Sequence, residues 1–386
     1  MSERPGRMKL DSKARMFLAS LRLGCIAFGG LAVLATIRRE FVSRRHILTD
    51  GEFAEIAGLA QALPGAVGVN TMTMLATRAG GWLGGPLAAV GYVLPSFVAM
   101  LVLAVNYTSF RHFPAVDGLL VGIAAGVVAL VVFTAIELGR GGAIRSLRDG
   151  ALAAAALVLV GMRWLGVLEA VLLAGLLGVA TSARRWRAEP PLALPPWLLM
   201  ALLGGAAGST LLSLTTVFLR IGAATFGGGF VMIPFIEHEV VLRHGWISPV
   251  EFADAIAFGQ ITPGPVVISA TFIGFRVAGL AGAVLATVAI FLPSVVLGVA
   301  AGGALERFGR HPVVAGFLSG VRPVVVGLLG SAALSLARAG VHDLAGWGVV
   351  ACGVLALLRW RVHPLLLLVV SGALVLALRH GLALLF

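Results

Sequence analysis

Apolar runs of about 20 residues recur along the whole chain, closed by glycine, proline or arginine, and they recur twice in the same order. In the first half they cover 14–36, 55–76, 81–105, 118–138, 150–162 and 164–180. In the second they cover 211–235, 252–275, 280–304, 313–337, 345–358 and 364–378. Runs of this length predict helices, because a helix satisfies its own backbone hydrogen bonds in lipid. An extra apolar run, Trp197 to Leu212, stands before the second set, behind a charged, proline-rich linker at 184–196. The layout predicts a repeat at 1–183, the linker at 184–196 and a second repeat at 197–386, whose first helix, 197–212, is the inverting span.

The helix breakers repeat with the runs. Arg22-Leu23-Gly24, Phe28-Gly29-Gly30, Gln61-Ala62-Leu63-Pro64-Gly65 and Leu94-Pro95-Ser96 return as Arg220-Ile221-Gly222, Phe226-Gly227-Gly228, Gln260-Ile261-Thr262-Pro263-Gly264 and Leu292-Pro293-Ser294. Such internal repetition of breakers inside apolar sequence marks transporters built from pseudo-symmetric halves around broken helices. The expected fold class is therefore an all-α polytopic membrane protein of two homologous halves, with helices broken at Phe-Gly-Gly and Pro-Gly.

Loop charge changes the picture from repeated to inverted. Arg38, Arg39, Arg44 and Arg45 follow the first run, whereas Glu237, Glu239 and Arg243 hold the matching loop. Arg140, Arg145 and Arg148 are matched by Arg338 offset by Asp343, and the last turn reverses the contrast, Arg163 against Arg359 and Arg361. Basic loops face the cytoplasm, so the halves are expected to insert upside down relative to each other. The basic N-terminal tail and the Arg38–Arg45 loop share a side only if the first run returns at Gly29-Gly30. The resulting expectation is nine spans and four re-entrant hairpins, in a multi-pass protein of the inner membrane with a cytoplasmic N-terminus.

Composition agrees: 59% of residues are hydrophobic and 12% charged, about half the charge of a soluble domain. The net charge of +12 comes from arginines flanking apolar runs, so it reads as topology rather than nucleic-acid binding. The partners expected are the lipid bilayer and a small anion. A homodimer stays open, but the Gly204 and Gly208 spacing is too common to mark a dimer interface. Cys25 and Cys352 occupy unrelated apolar places and suggest neither a disulfide nor a metal site. No phosphate loop, zinc signature or nucleophile elbow appears, so no cofactor, metal or catalytic residue is expected.

Broken helices at membrane depth expose unpaired N–H groups and a positive dipole end, which suit an anion. The expected substrate-binding set is Arg22, Phe28, Gly29, Gly30, Gln61, Pro64, Gly65 and Asn70, with Arg220, Phe226, Gly227, Gly228, Gly229, Gln260, Thr262, Pro263, Gly264 and Pro265. Thr71, Ser269 and Thr271 flank it. Amides and hydroxyls donate to an oxyanion without adding charge, and arginine presents a planar fork of donors. Glu40 matches Glu239, Glu52 matches Glu251, and Glu55 matches Asp254; these acids are candidates for proton coupling or for ion pairs with the arginines.

The second copy, Phe226-Gly227-Gly228-Gly229-Phe230-Val231-Met232-Ile233-Pro234 with Glu237-His238-Glu239, His244-Gly245-Trp246, Gly259-Gln260-Ile261-Thr262-Pro263-Gly264-Pro265 and Leu292-Pro293-Ser294, closely resembles the chromate ion transporter family, two-domain type. The resemblance covers essentially the whole chain. The first copy departs from the family pattern at Leu31, Ala32 and Val33, at Ile47 and at Ala66. The resemblance implies a secondary transporter that exports the chromate dianion, with sulfate as a related oxyanion, and thereby confers chromate resistance. Alternatives from other classes, a membrane scaffold or a membrane-embedded enzyme, lack any motif.

Overall fold

The computed structural model of the protein describes residues 13–27, 32–44, 46, 48–111, 113–182, 209–225, 229–304 and 312–383. Phe28, Gly29, Gly30, Phe226, Gly227 and Gly228, the linker 184–196, Gly204 and Gly208 lie outside the described residues, as does most of the run from Trp197. Among the described residues the regular elements are helical. The first half holds α1 (Lys13–Ile26), α2 (Ala32–Arg38), α3 (Asp50–Ala62), α4 (Val67–Gly80), α5 (Gly84–Arg111), α6 (Pro114–Leu138), α7 (Leu147–Gly161) and α8 (Val167–Ser182). The second holds α9 (Thr210–Ala224), α10 (Met232–Glu237), α11 (Pro249–Ile261), α12 (Ser269–Ala304), α13 (Pro312–Gly340), α14 (Leu344–Trp360) and α15 (Pro364–Ala383). Each half thus runs through the same series, with α4 and α5 fused into α12.

Local chemistry explains the boundaries. Thr49 Oγ1 accepts from Glu52 N–H at 3.2 Å while the Glu52 carboxylate accepts from Thr49 N–H at 2.9 Å, which starts α3. Ser248 and Glu251 repeat that box at the start of α11, at 3.2 and 3.0 Å. Both helices end two residues before a proline, Pro64 or Pro263, which has no N–H to continue the ladder. The fusion in α12 keeps the trace of the missing break: Gly279 has φ 61°, where Gly81 between α4 and α5 has φ 73°.

Among the described residues, four stretches are long and apolar enough to cross a membrane: 84–111, 118–143, 266–302 and 315–340. Shorter apolar helices cover 167–181, 210–224, 344–360 and 364–378. The breaks at Pro64-Gly65 and Pro263-Gly264 are real turns, with φ 104° at Gly65 and 113° at Gly264, values open to glycine at little cost.

The halves are interlocked rather than side by side. α1 packs on α5 and α9 on α12, within each half, but α6 lies against α14 and α15 while α13 lies against α7 and α8. Gly122 on α6 meets the backbone of Ser371 and Gly372, and its equivalent Gly320 on α13 meets Ala174 and Gly178. A Cβ at either would collide with that backbone. These exchanges are reciprocal, which is the mark of a two-fold relation between the halves.

Candidate functional site

The two Pro-Gly turns are held by the opposite half. Gly65 N–H donates to the carbonyl of Thr225 at 2.7 Å, and Gly264 N–H donates to the carbonyl of Ala27 at 2.6 Å. Thr225 and Ala27 each end the helix that leads into a Phe-Gly-Gly stretch. The Leu-Pro-Ser motifs supply the second layer. Ala66 N–H donates to Ser294 Oγ at 3.0 Å, while Ser96 Oγ, bonded to Val93 O at 2.8 Å, lies against Gly264. Each turn is therefore clasped by a serine of the other half, and all the breakers that can be described converge on one central region. The N–H groups of Gly65, Ala66 and Gly264 are spent on this scaffold and do not face a ligand.

What remains for a ligand sits one step further along. The first turn of α4 has no side-chain cap, its N-cap being Ala66, and the 3-10 turn Val266–Ile268 that leads into α12 follows uncapped Pro265. Uncapped first turns present N–H donors and the positive end of the helix dipole. Among the described residues, buried polar side-chain atoms without a protein partner lie on the helices around these turns: Asn70 Oδ1 and Thr73 Oγ1 on α4, Tyr92 OH on α5, Gln260 Nε2 on α11 and Ser269 Oγ on α12. Tyr92 OH lies against Gly68, in the first turn of α4. Leaving one such atom unpaired costs about 1–3 kcal/mol, so several of them on the helices that flank the Pro-Gly turns point to a polar guest.

The expected residues divide when placed. Gln260 is 5% exposed, yet its counterpart Gln61 is exposed. Arg220 is half-buried on α9, whereas Arg22 is exposed on α1. Asn70 turns its amide back, donating to Ala60 O at 3.1 Å and Pro64 O at 3.2 Å, so it ties α4 to the end of α3. Thr262 and Thr71 spend their hydroxyls on Phe258 O and Val67 O. Thr271 shares a 2.7 Å bond with Thr287. Pro64, Gly65, Pro263, Gly264 and Pro265 shape the turns, and Gly229 opens the 3-10 turn before α10.

The acids are mostly structural. Glu52 and Glu251 are the capping-box carboxylates, and Glu251 also binds Arg276 at 2.7 Å. Thr49 holds the Glu52 carboxyl below the usual carboxylate range. For Glu251 burial works upward, but Ser248 and Arg276 outweigh it and keep the carboxyl low. Both stay ionised at neutral pH. Glu40 lies 3.7 Å from Arg44 and Glu239 3.2 Å from Arg243, equivalent pairs on equivalent π-turns.

Asp254 departs from its counterpart. Glu55 meets Arg78 at 3.8 Å, with both partly exposed, whereas Asp254 is 2% exposed and binds Arg111 of α5 at 2.6 Å. Tyr107 OH donates to the same carboxylate oxygen at 2.6 Å, with its ring edge-on to Phe272 at 5.1 Å. This buried triad bridges the halves. Sequence reasoning missed Tyr92, Tyr107 and Arg111. The available signal was rarity: the chain has two tyrosines, and both are buried on α5.

Comparisons with known proteins agree with this two-fold plan. The family model "Chromate transporter" matches residues 14–179 and again 212–376. A probable chromate transport protein of Synechococcus elongatus is 31% identical, covering 92% of each chain. A chromate transport protein of Cupriavidus metallidurans is 30% identical over 92% of this chain and 90% of its own. An uncharacterised transporter of Methanocaldococcus jannaschii is 27% identical over 93% of this chain and 92% of its own. No solved structure matches the chain significantly. With both halves matched by one family model and full-length relatives at this identity, the chain belongs to the chromate transporter family, a membrane protein of transport rather than a soluble one.

Proposed function

We propose that this protein exports the chromate dianion, and sulfate-like oxyanions with it, from the cytoplasm across the inner membrane by alternating access, and so confers chromate resistance. The observation that carries the reading is the set of buried, unpartnered polar atoms on the helices that flank the two Pro-Gly turns, together with two uncapped helix starts there. Such ends favour anions, and Gln260, Ser269, Thr73 and Tyr92 can donate without adding charge. Arg220, half-buried on α9, supplies a cation among the residues that the sequence assigns to substrate binding. The relatives named for chromate transport support the substrate class.

Export follows from the charge of the substrate. One charge moving through 100 mV is worth about 2.3 kcal/mol, so a dianion leaving a negative cytoplasm gains about 4.6. The loop charges support opposed insertion of the halves, with the N-terminus cytoplasmic. The interlocked packing supports a rocking of one structural unit against another around the central turns. The test is flux of radiolabelled chromate and sulfate into proteoliposomes under an imposed membrane potential. Chromate movement that follows the potential and competes with sulfate is the expected result. Sulfate flux without chromate flux would change the substrate, and flux of neither would overturn the reading.

A further inference from the structure

A second polar region lies away from the central turns, on α10. Glu237 ends α10 with 8% exposure, and Ser335 of α13 hydrogen-bonds its carboxylate. A cavity opens beside it, lined by Glu237, His238, Arg163, Arg338, Ser331 and Ser335. Arg163, in the α7–α8 turn, and Arg338, near the end of α13, are both exposed. Glu237 has no acidic counterpart in the other half: position 38, which corresponds to it, is Arg38, bound to Asp50 at 2.6 Å on the surface. One buried acid therefore faces two arginines where the pseudo-symmetry offers no acid at all.

The charged surroundings of Glu237 can be named by element. α13 contributes Arg338 and the α7–α8 turn Arg163. The π-turn after α10 carries His238, Glu239 and Arg243. Glu169 stands in the first turn of α8, within electrostatic reach of His238. Arg220 is the charged residue of α9. α10 lies outside the four long spans, and burial pushes the Glu237 carboxyl up to about 7, against the opposing pull of Ser335 and Arg163. A carboxyl so placed changes charge near neutrality, unlike Glu52 and Glu251.

We propose that this cavity is a proton-linked oxyanion site. With Glu237 protonated, the Arg163 and Arg338 guanidinium groups and the Ser331 and Ser335 hydroxyls are free to hold an oxyanion. With Glu237 ionised, its own carboxylate takes the place of the anion. The step is one proton taken from water onto the carboxylate and returned when the anion leaves. The assignment rests on the oxyanion reading for the choice of ligand, but the carboxyl can be observed without transport.

Two measurements test it on the full-length protein in lipid. Infrared difference spectra over about pH 5.5 to 8.5, the range of a carboxyl raised toward neutrality, should show a protonated carboxyl band that titrates. Sulfate, a dianion throughout, should move its midpoint upward. The band should be absent in Glu237→Gln, and Arg338→Gln should keep the band but lose the sulfate shift. In proteoliposomes at fixed potential, wild-type anion flux relative to Glu237→Gln should fall about tenfold between one unit below and one unit above that midpoint. A carboxyl that stays ionised throughout, or a midpoint indifferent to sulfate, overturns the proposal. A titrating, sulfate-sensitive Glu237 in a protein that carries no anion would instead overturn the transport reading and leave this site standing.

Discussion

The two halves share a scaffold and differ in what they bury. Gly65 and Gly264 have similar φ, 104° and 113°, an equivalent cross-half backbone bond and a serine of the other half packed against them. Around that common frame the second half buries Gln260 and Asp254 and half-buries Arg220. The first half leaves Gln61 and Arg22 exposed and Glu55 partly exposed. The equivalent acids show the difference best, one in a solvated pair with Arg78 and the other locked under Tyr107 and Arg111. Duplication therefore preserved backbone geometry, where both copies must fit each other. It let side-chain chemistry diverge, where one copy suffices.

The largest expected contrast is at those acids. Asp254→Ala leaves Arg111 without its buried partner and should cost about 3–5 kcal/mol. Glu55→Ala removes a partly exposed pair and should cost about 1 kcal/mol or less. Thermal unfolding in detergent would show the gap, and equal losses would break the claimed asymmetry. The glycines should behave alike instead. Alanine at Gly65 or Gly264 forces a Cβ into Ser294 or Ser96 at positive φ, for about 1–3 kcal/mol each. A large loss at one and none at the other would contradict a shared scaffold.

Function sharpens the same contrast. Gln260→Leu should lower chromate flux about tenfold or more, the worth of one hydrogen bond to a charged group, while Gln61→Leu changes it less than about twofold. Arg220→Gln against Arg22→Gln should divide in the same direction. Equal effects in proteoliposome flux would return the site to a symmetric one. The smallest effect expected is at the helix starts, where Thr49→Ala and Ser248→Ala each remove a cap for about 1 kcal/mol. Their parity in unfolding measurements would confirm that local structure is common to both halves.

Much of the fold was legible in residues of restrictive chemistry. Pro64 and Pro263 stop helices wherever they stand, the Ser/Thr and Glu pairs start them, and apolar runs of repeated order make two matching sets of helices. The site was legible in outline only. Gln61 and Gln260 carry the same flanking signature, and nothing local distinguishes the exposed amide from the buried one. Asn70 read as a donor to substrate, yet its amide serves the carbonyls of Ala60 and Pro64. Beyond the rarity of tyrosine nothing local marked Tyr92, and nothing marked Arg111, because their roles depend on Gly68 and Asp254 in other helices.

Sequence alone determined the class of the molecule, its duplication, the positions of the Pro-Gly breaks and the family, because hydropathy, helix breakers and repeats act over a few residues or by direct comparison. Only the tertiary structure decided that the halves interlock, with α6 and α13 each held by the last two helices of the other half. It also decided which of two equivalent side chains is buried. Those outcomes depend on packing between segments some 200 residues apart, and burial is a property of the assembled surface that no local pattern encodes.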